Sequence, residues 1–233
     1  MTNGAFSARG APAPVSGFRK ADRVYDHLRS ELVDGEHAPG AELSVVAIAA
    51  RLGVSRQPVM DAVRRLQEGS FLEVVPQVGV RVVSPTVRDV EDFYLVFAAL
   101  EGVVTGLAAE RRDEADVAWL RGESDAMTRS VQTGGLSRAV YRQLYRRVHG
   151  AIHQVARSSV AAASAQASWD RSDFFQACFG TYEPADVREM DAGHTDLIAA
   201  IEAGDPVRAR RVAEEHILES RDRVVRAMSG STP

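Results

Sequence analysis

The sequence has one cysteine, Cys178, in 233 residues, which excludes an intrachain disulfide and a zinc site built on cysteines. It also lacks an apolar run near the roughly 18 residues needed to span a bilayer. No basic stretch followed by an apolar one opens the chain, so no secretory leader is read there. These absences lead to the expectation of a cytoplasmic protein with no membrane partner. An excess of positive charge is missing too: 28 Lys plus Arg stand against 32 Asp plus Glu, a net charge of −4. Such a balance ordinarily counts against a nucleic-acid partner, because phosphate attraction supplies most non-specific affinity.

What is present is ordinary globular material. Hydrophobic residues make up 45% and charged residues 26%, enough to exclude wholesale disorder. The length suits one large domain or two small ones. The charge is unevenly spread. Residues 1–17 carry only Arg9, residues 18–86 hold nine basic and nine acidic side chains, and the acidic excess falls in residues 87–233. The neutral first third weakens the objection to nucleic acid.

Periodicity divides the chain into a flexible arm (1–17), a mixed unit (18–86), an all-helical unit (87–228) and a tail (229–233). In the arm, Gly, Ala, Ser and Pro dominate without an apolar period. Val24, Leu28 and Leu32 then mark a helix that Gly35 ends. Ser44 is placed to cap a short helix with Val45, Ile48, Ala49 and Leu52 on one face, and Gly53 closes it. Ser55 is placed to cap the next helix, with Pro58 in its first turn and Val59, Ala62, Val63 and Leu66 as its buried stripe. After Gly69 the period drops to two, so Phe71–Val75 and Val80–Val83 read as a hairpin. Beyond Ser84-Pro85 the pattern is helical throughout. Helices are expected from Val90 through Leu107 and over 114–132, 136–157, 160–178, 184–203 and 206–228. The fold class is mainly α: a winged helix-turn-helix followed by a helical bundle.

A helix that ends at Gly53 and restarts after Val54 brings Arg56 and Gln57 to a helix N-terminus. There helix-turn-helix proteins meet base edges and phosphates. Arg pairs with guanine and Gln with adenine in the major groove. Arg64 and Arg65 lie further along, within reach of phosphates, and Gly79 suits a wing tip lying close to a DNA backbone. Ser44 and Ser55, at the two caps, complete the candidate DNA-facing set.

Residues 21–84 resemble the winged helix-turn-helix of GntR-type bacterial repressors. The matching stretches are VYDHLRSELVDGEHAPGAELS and LGVSRQPVMDAVRRLQEGSFLEVVPQVGVRVV. Residues 87–228 resemble the FCD effector domain of the FadR-like branch, through FAALEG, VHGAI, HTDLIAAIEAGD and RRVAEEH. The resemblance implies a regulator that binds a palindromic double-stranded operator as a homodimer and responds to a small-molecule effector. It also implies a divalent metal, zinc or nickel, on His149, His194 and His216. The chain departs from the family at four places. Met60 replaces an arginine of the recognition helix, and Val78 replaces a basic residue of the wing. Tyr145 stands where a fourth ligand, Asp, is usual, and Phe97 replaces an arginine that commonly holds an effector carboxylate. Tyr94, Phe97 and Tyr145 are therefore the expected lining of a more aromatic effector pocket. His153, one turn after His149, is expected to be exposed. Two other readings stay open: a metal-dependent enzyme built on the three histidines, and a partner-binding module that has lost its DNA contacts.

Overall fold

The computed structural model describes residues 16–76, 79–181 and 184–230. Residues 1–15 of the expected arm, 231–233 of the tail, and Val78 of the wing lie outside the described residues. The first helix, α1 (Ser16–Val33), begins two residues inside the expected arm. It is followed by β1 (Glu42–Leu43), α2 (Val45–Leu52), α3 (Arg56–Glu68), β2 (Leu72–Val75) and β3 (Gly79–Val82). Val24, Leu28 and Leu32 of α1 are buried together with Val59, Val63 and Leu66 of α3, as the four-residue period requires. The three strands form an antiparallel sheet in the order β1-β3-β2, with Leu43 opposite Val80 and Leu72 opposite Val82. Two residues are too few to show a period, so sequence pattern had not revealed β1.

Six helices follow: α4 (Val87–Arg111), α5 (Glu114–Thr133), α6 (Arg138–Val155), α7 (Ser159–Phe179), α8 (Pro184–Glu202) and α9 (Pro206–Gly230). Capping boxes start two of them. Thr86 and Asp89 exchange side-chain and backbone bonds at α4, and Asp113 and Asp116 do so at α5. One correction concerns α4. It is long and apolar enough to cross a membrane by length and composition, with a mean hydropathy of 1.5. More than half of that stretch is buried inside the protein, the mark of a core helix wrapped by its neighbours.

The winged unit sits on the bundle through α1 and α7. Phe71, at the start of the hairpin, meets Phe174 of α7 edge to face, with ring centroids 5.4 Å apart. Around this apolar contact runs a chain of alternating charges. Arg29 of α1 contacts Asp170 of α7 at 3.0 Å. Asp170 and Asp173 share Arg146 of α6, at 2.6 and 2.9 Å. Arg142, one turn earlier on α6, donates to Asp34 just beyond α1 at 2.6 Å.

Phe174 and Phe71 are both buried, so truncating the first opens a cavity at the joint. Phe174→Ala is expected to cost about 3–5 kcal/mol in urea denaturation. A loss below about 1 kcal/mol would show that the charged chain holds the joint without the rings.

Candidate functional site

The DNA-facing surface is set by the two short helices. Ser44 Oγ accepts from the Ala47 N–H at 3.2 Å and caps α2. Gly53 takes the left-handed conformation, φ 63 and ψ 35, which turns the chain out of α2 without a Cβ clash. Val54 N–H returns to Ala49 O at 3.0 Å, completing the turn. Ser55 occupies the N-cap position of α3, but its side chain makes no capping bond. That corrects the sequence expectation and leaves an exposed hydroxyl at a helix N-terminus. Pro58, Val59, Ala62, Val63 and Leu66 are buried beneath, so Arg56, Gln57 and Arg64 are left exposed on the opposite face.

These exposed residues are not equally free. Among the described residues Arg56 has no ion-pair partner. Asp61 accepts from Gln57 Nε2 and from Arg64 Nη1, both at 2.9 Å. Arg65 was expected to reach phosphates. Instead it donates to Asp22 at 2.7 Å and lies over the Tyr25 ring, 3.9 Å from the centroid. A guanidinium stacked and paired in this way fastens α3 to α1. Gly79 is exposed at the start of β3. Sequence reasoning passed over Lys20 and Arg23, which line a hollow of about 470 Å³ with Leu52, Gly53 and Val54. They add cations beside the turn, where a phosphate backbone would run.

The second site lies inside the bundle. His149 of α6, His194 of α8 and His216 of α9 are buried, and each offers a ring nitrogen within 4.8 Å of the others. Nε2 of His149 and Nε2 of His194 are 3.2 Å apart. Two imidazoles on one tetrahedral zinc, with bonds of 2.0–2.1 Å, have nitrogens about 3.3 Å apart. Among the described residues neither nitrogen of His216 has a hydrogen-bond partner, a costly state for a buried imidazole unless something else binds it. Burial lowers the pKa of His149 and lowers that of His216 strongly. Both are thereby held in the neutral form that ligates metal. Gly193 lets α8 approach, since a Cβ there would fall 2.5 Å from His216 Nδ1. The residues present thus fit a divalent ion.

Tyr145 packs its ring 4.7 Å from His149 and 5.0 Å from His194, and among the described residues its hydroxyl has no hydrogen-bond partner. Burial pushes its pKa well above the ordinary value, so it offers a neutral oxygen and no charge. The carboxylate of this centre comes from α4. Glu101, 1% exposed, accepts from Trp169 Nε1 at 3.0 Å and contacts His153 Nε2 at 3.0 Å. It also lies 3.7 Å from His149 Nδ1, too far for a hydrogen bond but close for a charge. Burial alone would raise the Glu101 pKa, but the two histidines outweigh it and bring it down to about 2. His153, expected to be exposed, is therefore largely covered and tied to this carboxylate. The three residues of the expected aromatic lining, Tyr94, Phe97 and Tyr145, are fully buried. Phe97 meets the Trp169 edge at 4.9 Å, and Tyr94 shares a hydrogen bond with Ser172 at 3.0 Å.

Residues 20–82 match the family of bacterial regulatory proteins called gntR, and residues 92–219 match the FCD domain. The chain belongs to the GntR family. Its members are transcriptional regulators that bind DNA and respond to small molecules, which answers the enzyme reading. This GntR regulator is 29% identical over 199 residues to the "probable D-xylose utilization operon transcriptional repressor" of Paenarthrobacter nicotinovorans, covering 84% of this chain and 85% of that one. It is 24% identical over 203 residues to the transcriptional repressor RspR of Escherichia coli strain K12, with coverage of 84% and 85%. Among solved structures, McbR/YncC of E. coli shares the fold at a TM-score of 0.74 and 22% identity, covering 89% of this chain and 97% of that one. A GntR protein from Rhodococcus sp. RHA1 does so at 0.70 and 20%, covering 92% and 100%.

Within the interior site, His153→Ala leaves a buried carboxylate short of a donor. A stability loss of about 1–3 kcal/mol is expected, most of it recovered by His153→Gln, which keeps an N–H. Equal losses in the two variants, measured by urea denaturation, would mean that packing alone accounts for His153.

Proposed function

We propose that this GntR regulator acts in the cytoplasm as a homodimeric repressor on a palindromic operator, with an effector seated at the histidine centre. The observation that carries the DNA reading is the exposed Arg56, with Gln57, at the N-terminus of α3. Arg56 and Gln57 would read base edges, while Ser44, Ser55, Arg64 and Gly79 would meet the backbone. Asp61 would exchange its partners for the donor of a cytosine. Arg65 would act indirectly by fixing the pose of α3.

A second copy is supported by α4. Leu95, Val96 and Val103 stand exposed on one side of this otherwise core helix, Val96 at 71%, and such a stripe is most simply covered by another subunit. Two-fold symmetry would then set the recognition helices about 34 Å apart, one turn of DNA. Repression is supported by the names of the xylose-operon and RspR relatives.

His149, His194 and His216 would hold the metal, zinc or nickel, which supplies an open Lewis-acidic position for an effector oxygen. Tyr145 would turn its unbonded hydroxyl to that effector, with Tyr94 and Phe97 as the rigid layer behind it. Effector binding would then act by favouring one placement of the two winged units over another.

Genomic fragments selected by the purified protein provide the operator for the tests. Arg56→Ala is expected to remove about 1–3 kcal/mol of binding and to relax preference at one base per half-site. Arg64→Ala is expected to weaken all duplexes alike and to flatten the salt dependence. Wild-type protein that prefers no genomic fragment over random duplex would sink the operator reading. For the metal, elemental analysis of untagged protein is expected to find about one equivalent, lost with chelator and absent from His194→Ala. Less than a tenth of an equivalent, with no thermal shift on adding zinc or nickel, would leave the three as core histidines.

A further inference from the structure

The buried stripe of α3, Val59, Ala62, Val63 and Leu66, fixes which of its residues face outward. At 3.6 residues per turn, the positions diametrically opposite that stripe are Gln57, Asp61, Arg64 and Glu68. A carboxylate therefore stands in the middle of the face that a duplex meets. In the free protein its charge is met from both sides along the helix. Oδ1 of Asp61 accepts from Gln57 Nε2, one turn earlier, and from Arg64 Nη1, one turn later, each at 2.9 Å. These partners do not cover it, and the side chain stays 39% exposed.

Docking on DNA reverses this balance. Arg64 goes to a phosphate and Gln57 to a base edge, and each withdraws a donor from Asp61. The carboxylate is left pointing into a groove lined by phosphates, where a bare negative charge is repelled and its lost hydration is not replaced. The rest of the winged unit does little to mask that repulsion, since residues 18–86 hold nine basic and nine acidic side chains. A base pair that presents an amino group at this place removes the penalty. Cytosine N4 does so cleanly, whereas the adenine amino group adjoins the N7 acceptor, which would meet the second carboxylate oxygen as a like partner.

We propose that Asp61 is a specificity-determining residue that acts by exclusion: it disfavours every duplex that lacks a cytosine amino group at its position. This rests on the reading of α3 as the recognition helix and adds a second kind of selectivity to it. Arg56 and Gln57 reward the right bases, whereas Asp61 rejects the wrong ones. The two kinds differ in sign. Removing Arg56 weakens binding, and removing Asp61 tightens it on most DNA.

Full-length Asp61→Ala and Asp61→Asn are compared with wild type on the operator that wild type selects and on random duplex, at one salt concentration. Ala is a good helix former at an exposed position and Asn keeps the shape, so both variants are expected to fold, with thermal melting as the check. Each is expected to bind random duplex about threefold more tightly than wild type and the operator about threefold more weakly. The operator-to-random ratio then falls about tenfold, the order of discrimination that one base contact gives. In selection from randomised duplexes, wild type is expected to enrich cytosine at one position per half-site. Both Asp61 variants are expected to lose that preference alone, and Arg64→Ala to retain it. An Asp61 that merely supports the helix would weaken operator and random duplex together, and that outcome overturns the proposal. So does enrichment of a base other than cytosine at the position that the variants relax. Absence of any preferred fragment for wild type overturns this and the operator reading together. A preferred operator bound alike by wild type and both variants overturns this proposal alone.

Discussion

A carboxylate buried in the middle of the bundle constrains most of what surrounds it. Taking Glu101 out of water costs several kcal/mol unless donors replace the lost hydration. It sits at 1% exposure on α4, and the donors come from other helices: Trp169 of α7 and His153 of α6. Satisfying this one group therefore fixes the rotation of α6 and α7 against α4. Fixing α6 places His149, one turn before His153, toward His194 and His216. The histidine centre can thus be neutral and closely packed because its charged neighbour is satisfied from the far side.

The same residues continue outward. Trp169 precedes Asp170, which holds Arg29 of α1 and Arg146 of α6. Tyr145, against the histidines, precedes Arg146. Each step of this route is a direct contact or a chain neighbour, and it runs from the interior of the bundle to the winged unit. Burial pushes the pKa of Asp173 upward, against the pull of Arg146 and Arg142, so the joint is rich in groups that need one another. A rigid apolar contact, Phe71 on Phe174, shares this joint with partly wet ion pairs whose worth depends on geometry. Such a mixture suits a joint with more than one arrangement better than an all-apolar one would.

Most of the fold was legible because it is local. Helices α4 to α9 announce themselves by period and by the glycines and prolines between them, and α2 and α3 by their shared Gly53. The three histidines were legible through family spacing. What stayed hidden depends on partners distant in the chain. Arg65 has its partner 43 residues away at Asp22, so nothing local separates it from a phosphate-binding arginine. His153 has its partner 52 residues away at Glu101, so nothing local separates it from an exposed histidine, although its place one turn after His149 puts the two on one helix face. Ser55 fits the N-cap composition rule, yet the rule does not fix its rotamer. Phe97 shows a subtler limit. Its replacement of an arginine was read as a more aromatic pocket, whereas the ring fills the space beside Trp169 and seals it.

That sealing bears on the charge of the interior. Where the family resemblance implies an acidic ligand beside the first histidine, this chain has the neutral Tyr145, and burial keeps the imidazoles of His149 and His216 uncharged as well. Among the described residues, a divalent ion on the three histidines would then face one nearby carboxylate, Glu101, across the His149 ring. The net charge of such a centre is positive in a place that water reaches poorly, where charge interactions are strong. It would favour an effector that brings a negative oxygen. The aromatic layer of Tyr94, Phe97 and Tyr145 would then supply shape and exclude water, while the anion itself would satisfy the charge. The substitutions that remove a ligand and an arginine thus need not make the effector apolar. With a metal on the three histidines, they would move its electrostatic complement from side chains near the metal to the metal itself.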